Sequence, residues 1–514
     1  MTQSPKMSQA VSPITTKVLT RETPRGRSRK FWHDVFFSNL PIPFLKVRAY
    51  LWVVFFSRAL GPAEFGIWSL FQTTMSMAMI LTSMTQGNAM MRFLGGDRSR
   101  EEVNREFSSV MAAVSVSALL LAVIVTVFAN RLSSVLFHDP LGRHVLLLIA
   151  VIIPFEVWFE EMRGLLRARR LNRKWALFTL GRQMPEGAFL IVLVVLWKSN
   201  VVGVIAGYLA CSVLSVVVGL VYLFRYQRTR LVMPAPRVWS KYLPYGLALV
   251  PGALASTISF SADRYLVGYY LDLRQVGIYS VCFTVSALGF FLVGPLNDVL
   301  LPEISALYDS GDWSEFYTRF SKVQKFVIGV AMGATALLVA FPGQILRLLS
   351  SREFLSGEST LAILGLQGVF MSIVMLYTVL LCVRLQVWWS SIVWAGMGTL
   401  VLGVDVVLLP RIGIVGAGIS QLLSSIAGAI VVVALNWNIF HQTFKWRWLA
   451  QGGTAVLAVV LLAHYWQGGL FSIGRSLEQL LTGGIVFIVS LFATRYFRVA
   501  ELVALRQAIF RSPA

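Results

Sequence analysis

Lys46 and Arg48 stand two residues apart inside the first apolar stretch of the chain, Val35–Trp68 (VFFSNLPIPFLKVRAYLWVVFFSRALGPAEFGIW). Only nine residues, Ala49 to Ser57, separate Arg48 from Arg58, about 14 Å of helix. A hydrocarbon core of about 30 Å takes roughly 20 residues. The span is completed only by running back to Val35, which gives 23 residues and about 35 Å of helix. Lys46 and Arg48 then lie near the middle of a membrane. A cation there costs at least about 2.5–3.5 kcal/mol unless it meets water, protein or a ligand. The chemistry this pair fits is anion binding. Residues two apart do not share a helix face, so one can look into a cavity while the other finds a neighbour. The competing reading is a helix that starts late, with both side chains snorkelling to the near surface.

Other charges fall inside apolar runs. Asp263 and Arg264 precede Asp272 by nine and eight residues, about 12–14 Å below a surface. They fit a latch between two parts of the bundle, a substrate contact, or mutual compensation. Glu156 and Arg182 each lie thirteen residues from Arg169, so a helical hairpin turning at Arg169 brings them to similar depth. Glu186, at i+4 from Arg182, offers a second partner. The readings are a structural ion pair or a coupling carboxylate. Glu160 and Glu161, beside Arg163 and Arg167, read as solvated. Arg92 closes a long apolar run, where it either snorkels or meets an anion at the inner mouth. Asp405, six residues from Arg411, reads as an outer-edge residue and a candidate for a coupling ion. Arg58 and Glu64 fit an outer gate or a helix-end pair.

These residues must be positioned by membrane helices. The chain has 514 residues, 56% hydrophobic and 13% charged, with mean hydropathy +0.70. That charged fraction is about half the usual one for a soluble protein. The expected class is an all-α polytopic membrane protein. Seven Lys and Arg residues occupy the first 30 positions without an apolar h-region, which reads as a basic cytoplasmic tail and not a signal peptide. The net charge of +21 is spread in short clusters between apolar runs, without a nucleic-acid motif. It reads as topology plus attraction to anionic lipid headgroups. Cys211, Cys282 and Cys382 all lie inside apolar runs and suit packing.

About fourteen apolar segments are long enough to span. Thirty-one of the 45 Lys and Arg residues fall on the side of the N-terminus and nine on the other, so both termini are expected in the cytoplasm. An internal repeat organises the segments. GPAEFGIWS (Gly61–Ser69) matches DLRQVGIYS (Asp272–Ser280), and VVGVIAG (Val201–Gly207) matches IGIVGAG (Ile412–Gly418), both displaced by 211. Six helices per repeat make the halves parallel, related by an axis along the membrane normal. The expected division is a tail at 1–34, a first six-helix lobe at 35–241 and a second at 242–445. Two extra helices follow at 446–497, then a tail at 498–514.

Two such halves with a polar seam are a transporter plan, with the site near the midplane. Here the sequence resembles a known family. Arg58-Ala-Leu-Gly-Pro-Ala-Glu-Phe-Gly-Ile-Trp is similar to the R-x-L-G-x-x-x-F-G-x-[YW] signature of Wzx-type lipid-linked oligosaccharide flippases. Asn88–Gly95 (NAMMRFLG), Met162-Arg163-Gly164, Asp263-Arg264 and Val276-Gly277-Ile278-Tyr279 fall where that family has similar residues. The resemblance runs from about residue 35 to 440. It covers the polysaccharide-transporter branch of the MATE-like MOP superfamily, which also holds the lipid II flippase MurJ. It implies a V-shaped, two-lobed bundle alternating between inward-open and outward-open states. Its substrate would be an undecaprenyl-diphosphate-linked oligosaccharide moved to the outer leaflet of the cell inner membrane, in partnership with membrane lipids and a polysaccharide polymerase complex. Lys46, Arg48, Arg92 and Arg264 would then meet the diphosphate. Asp263, Glu156, Arg182, Glu186, Arg58 and Glu64 would couple or gate.

Rival classes lack their signatures. No G-x-x-x-x-G-K-[ST] loop is present, so ATP hydrolysis is not expected. The five His residues form no H-x-x-x-H pair, and no metal or other cofactor is expected beyond a coupling ion, sodium or proton. A membrane polymerase or ligase would need a larger outer loop bearing acids, His or Arg. A MATE-type drug antiporter, the nearer alternative, would want an acidic cavity in place of a basic first helix.

Overall fold

A computed structural model describes residues 37, 39–95, 98–290, 293, 304–466 and 472–497. The tails expected at 1–34 and 498–514 lie outside the described residues. The first half is built from α1 (Pro41–Ser83), α2 (Gln86–Phe93), α3 (Arg100–Val127), α4 (Ala129–Leu136), α5 (Leu141–Ala168), α6 (Asn172–Val195) and α7 (Val201–Val221). The second is built from α8 (Pro236–Ser261), α9 (Asp263–Tyr270), α10 (Leu273–Ser286), α11 (Trp313–Ala340), α12 (Pro342–Leu349), α13 (Glu358–Val383), α14 (Val387–Ile412) and α15 (Ile414–Leu435). Short α16 (Trp437–Thr443) leads to α17 (Trp446–Tyr465) and α18 (Ile473–Ala493).

Eleven of these helices are long and apolar enough to cross a membrane. Their outward residues, such as Leu119, Leu120 and Val123 on α3 and Leu481, Ile485 and Val489 on α18, are exposed and apolar. In water such a belt would be a liability; against acyl chains it is the solvent match, while backbone groups are satisfied within each helix. The protein is a multi-pass membrane protein.

Local sequence sets the breaks. Gly61 takes φ 73°, which costs glycine little, and Pro62 starts a fresh arm without needing a backbone donor, so α1 bends into two arms. At the repeat-equivalent point of the second half, Asp272 caps α10 by accepting from Gln275 N–H at 2.7 Å. Ser99 and Glu102 form a reciprocal capping box at α3, and Asn200 caps α7.

Two apolar cores form: one is centred on Phe56, Phe71, Ile149 and Ile153 and continues across the halves to Val276, Tyr279, Leu346 and Leu361, and the other, within the second half and the helices after it, is centred on Phe316, Ile328, Tyr377 and Val432. Helices α17 and α18 belong to the second. Gly452 lies against Met332, Gly333 against Phe487, and Tyr496 donates to the Lys325 carbonyl at 2.7 Å, so both pack on α11. Helix α8 opens at Pro236, ahead of the expected start of the second half at Tyr242.

Candidate functional site

The most extensive contact between any two elements joins α1 to α10 across the halves. It is reciprocal. A Cβ on Gly66 would lie 2.0 Å from the Leu273 carbonyl oxygen, and one on Gly277 would lie 1.9 Å from that of Pro62. One turn on, Ser69 Oγ donates to Ser280 Oγ at 2.6 Å. Pro62 and Leu273, Gly66 and Gly277, Ser69 and Ser280 are all 211 apart. Residues touching their own repeat equivalents lie on the axis relating the halves, the intramolecular form of a self-complementary interface. Only glycine allows backbones this close.

The seam continues from this end to the other. At the Arg58 end, Arg58 donates through Nη2 to the Leu348 carbonyl at 2.6 Å and through Nε to that of Ser350 at 3.4 Å. These are carbonyls at the C-terminus of α12, where a cation is favoured. Glu64 is not its partner: its carboxylate accepts from Val201 N–H at 2.8 Å and caps α7 within the first half. The expected Arg58–Glu64 pair is therefore replaced by one bridge between halves and one cap. Midway, Thr74 and Tyr265 hydroxyls meet at 2.7 Å. At the Arg92 end, Thr85 donates to the Gly246 carbonyl at 2.7 Å, and Tyr242 donates to Glu106. There Arg92 stacks over Tyr245 at 4.7 Å and Lys241 over Phe93 at 4.5 Å.

Behind the seam, each half holds a buried polar cluster. In the first, Arg182 on α6 bridges Glu156 of α5 and Glu186, one turn along α6 at 3.1 Å. Ser212 of α7 also donates to Glu156, at 2.6 Å. Arg48 enters from α1 and donates through Nη1 to Glu186 at 2.8 Å. Its stem passes over Gly187, where a Cβ would lie 2.9 Å from Arg48 Cγ and Cδ, and its guanidinium lies 4.3 Å over Trp52. Two guanidinium groups face two carboxylates. Arg48 Nε is buried without a partner among the described residues, and the Arg48 side chain keeps 19% exposure against 3% for Glu186. Lys46 is exposed, on another face of α1.

The second cluster lies at the α8–α9 break. Asp263 accepts from Tyr279 of α10, from Gln421 Nε2 of α15 at 2.7 Å and from the Arg264 N–H at 2.8 Å. Arg264 Nη1 stands 3.6 Å from Asp263 Oδ1, donates to the Phe260 carbonyl at 2.9 Å, and lies over Phe283 at 4.8 Å. Every one of these partners is in the second half, so the interhalf contact at this level falls to Tyr265. Next to Gln421, Ser420 donates to Asp405 Oδ1, while Asp405 Oδ2 is buried without a partner among the described residues. Asp405, expected at an edge, is fully buried.

Glu161, expected in solvent, is also fully buried, and neither of its oxygens has a partner among the described residues. It sits on the face of α5 that carries Val157 and Leu165, both fully buried. Glu160, one position earlier, is 45% exposed and pairs with Arg163 at 3.2 Å. Among the described residues no group of three or more His, Cys, Asp or Glu could hold a metal ion. The three cysteines are free thiols.

Comparison with known proteins adds to this geometry. The family model described as "Polysaccharide biosynthesis protein" matches residues 34–308, more than half of the chain. No curated protein matches at a significant level. Among solved structures, the lipid II flippase MurJ in an inward closed conformation is similar over 94% of this chain and 100% of its own, at 15% identity and a TM-score of 0.71. A multidrug resistance MATE family transporter of the MOP superfamily, in an inward-facing conformation, is similar over 79% of this chain and 98% of its own, at 15% identity and a TM-score of 0.65. An outward-facing MATE structure gives 82% and 97%, 15% identity and a TM-score of 0.54. The fold is that of this transporter group.

Proposed function

We propose that this chain, which belongs to the polysaccharide biosynthesis protein family, flips an undecaprenyl-diphosphate-linked oligosaccharide from the cytoplasmic to the outer leaflet of the cell inner membrane. The observation that carries the reading is the reciprocal contact of Gly66 with Gly277 and of Ser69 with Ser280. A small, hydrogen-bonded contact on the axis between two halves can close or part as a unit, which alternating access requires. The two arms of α1 and helix α5, added to the eleven apolar helices, supply the fourteen spans of this scheme. Even numbers of spans in each half keep both termini on one side, that of the Arg92 end, and the Lys and Arg excess there supports its being the cytoplasm.

Within this scheme, Lys46 and Arg48 hold the diphosphate at mid-depth. Arg48 is held by Glu186 through Nη1, which fixes the side chain while Nε remains to donate. Arg92 meets the diphosphate at the cytoplasmic mouth. Arg264, turned toward Phe260 and Asp263, orients the second cluster. Arg58 holds the outer end shut, and Glu64 fixes α7 beside it. Asp405 is the seat of a coupling ion, sodium or proton: its buried oxygen without a partner among the described residues, the Ser420 hydroxyl and the neighbouring Asp263 carboxylate put oxygen ligands next to α9. The chain carries out transport without an enzymatic step of its own, and a polysaccharide polymerase would take up the product. A cation-coupled drug antiporter on the same fold would draw on the acidic second cluster, whereas the family match and the basic first helix favour the lipid-linked anion.

Translocation in proteoliposomes tests this. Oligosaccharide on undecaprenyl diphosphate is loaded in one leaflet and detected in the other by an impermeant glycosidase. Wild type is expected to move it, and Lys46→Gln/Arg48→Gln to lose movement at normal protein levels. Full activity in that double variant sinks the anion-site reading. Failure of the wild type, combined with gradient-driven efflux of a cationic dye, supports the antiporter instead.

A further inference from the structure

Outside the seam, the two halves carry matching cavities at the Arg92 end. In the first half a cavity of about 180 Å³ opens between the start of α3, the α5–α6 connection and the α7–α8 connection. In the second, one of about 330 Å³ lies among the start of α11, the end of α13 and the end of α15. They occupy equivalent places: Gln227 in the first and Asn438 in the second differ by 211, as do Arg228 and Ile439. Their chemistry has diverged. Trp313, Tyr317 and Trp437 line the second, with Arg384 drawn to the Leu435 carbonyl at 3.0 Å. Arg98, Arg100, Arg169 and Arg228 line the first.

No carboxylate is among the described residues lining the first cavity, and Glu102 approaches one of its arginines only to 3.9 Å, at Arg98. Arg100, Arg169 and Arg228 make no ion pair with another described residue. Four guanidinium groups brought together by three separate connections repel one another, and among the described residues only Glu102, beside Arg98, offsets that charge by an ion pair. Guanidinium forks suit phosphate oxygens bidentately, and basic pockets between helices at the cytoplasmic surface suit anionic headgroups. We infer that this four-arginine cavity binds a phosphate group, carried by an anionic lipid headgroup of the cytoplasmic leaflet. This site is separate from the Lys46/Arg48 site and does not depend on it. The aromatic cavity of the second half lacks this function and serves as an internal comparison.

The test uses the full chain, purified and presented with phosphatidylglycerol, phosphatidylcholine or inorganic pyrophosphate. Retained lipid is read by native mass spectrometry and stabilisation by thermal unfolding. Phosphatidylglycerol is expected to be retained over phosphatidylcholine, with binding weakened about fivefold for each guanidinium removed in Arg98→Gln/Arg169→Gln/Arg228→Gln. The charge-matched set Arg237→Gln/Lys322→Gln/Arg447→Gln, exposed at the same end, should keep wild-type retention. Should the triple variant fold poorly, the single Arg100→Gln gives the same comparison. Pyrophosphate stabilisation that is lost in the same variants, without lipid preference, supports the phosphate site and assigns it to a soluble ligand. Equal losses in the site and control sets, or no loss in either, overturn the inference and leave only diffuse surface attraction.

Discussion

The two buried clusters occupy the cores of related halves, yet they solve the problem of charge in a membrane differently. In the first half, Arg48 and Arg182 face Glu156 and Glu186, and each carboxylate accepts from at least one guanidinium. In the second, among the described residues, Arg264 alone accompanies Asp263 and Asp405, and one Asp405 oxygen is left without a donor. Removing one member of a balanced buried set strands its partners, whereas an excess acceptor is the kind of group that a cation would satisfy. The first cluster thus braces α1, whose second arm forms the seam, through Arg48 and Glu186. On the proposed function, the second would respond to an ion beside the α8–α9 break. Repeat symmetry built the frame, and the charges divided the labour.

The largest effect is expected from Arg182→Gln. It leaves Glu156 and Glu186 facing each other across a buried site, a loss of about 3–5 kcal/mol. Thermal unfolding of the purified protein should show it, with partial recovery in Arg182→Gln/Glu156→Gln. Unchanged stability would mean that the cluster is hydrated and the contrast between halves is false. Gly66→Ala comes next: the added Cβ meets the Leu273 carbonyl, so the α1–α10 seam should fail to close and translocation should fall well below wild type. Gly87→Ala, with open space at the Cβ, is the matched control.

Asp405→Asn sharpens the comparison from the other side. Folding should barely change, but stabilisation by sodium or by protons should vanish; a saturating ion at 100 times its Kd would contribute about 2.7 kcal/mol in the wild type. Retention of that stabilisation in Asp405→Asn would place the ion elsewhere. The smallest effect is expected from Arg58→Gln. It loses hydrogen bonds to carbonyls at an exposed edge, under about 1 kcal/mol. The readout is a modest shift in accessibility of the seam to a thiol reagent at an engineered site.

The repeat was legible because two motifs recur at a single offset of 211, and one of them contains the glycines and serines that meet. Hairpin geometry likewise put Glu156 and Arg182 at one depth, since both distances were measured along helices. Contacts set by packing between distant helices were not legible. Arg48 finds Glu186 138 residues away, and Asp263 finds Gln421 158 away, with nothing local to mark either pair. Glu64 looked like a partner for Arg58 because both flank the bend, but the start of α7 supplied an unsatisfied N–H. The burial of Glu161 was recoverable: it shares a helix face with Val157 and Leu165, and that periodicity outweighs its charge.

The most direct test of the account is a reversible lock on the seam. With the three native cysteines replaced, Ser69→Cys/Ser280→Cys places thiols where the hydroxyl oxygens now stand 2.6 Å apart. Translocation in proteoliposomes is measured before oxidation, after oxidation and after reduction. The account predicts that oxidation stops movement of the lipid-linked oligosaccharide and reduction restores it. Undiminished movement by the fully cross-linked protein would contradict it, because substrate would then cross without the halves parting at Gly66 and Gly277.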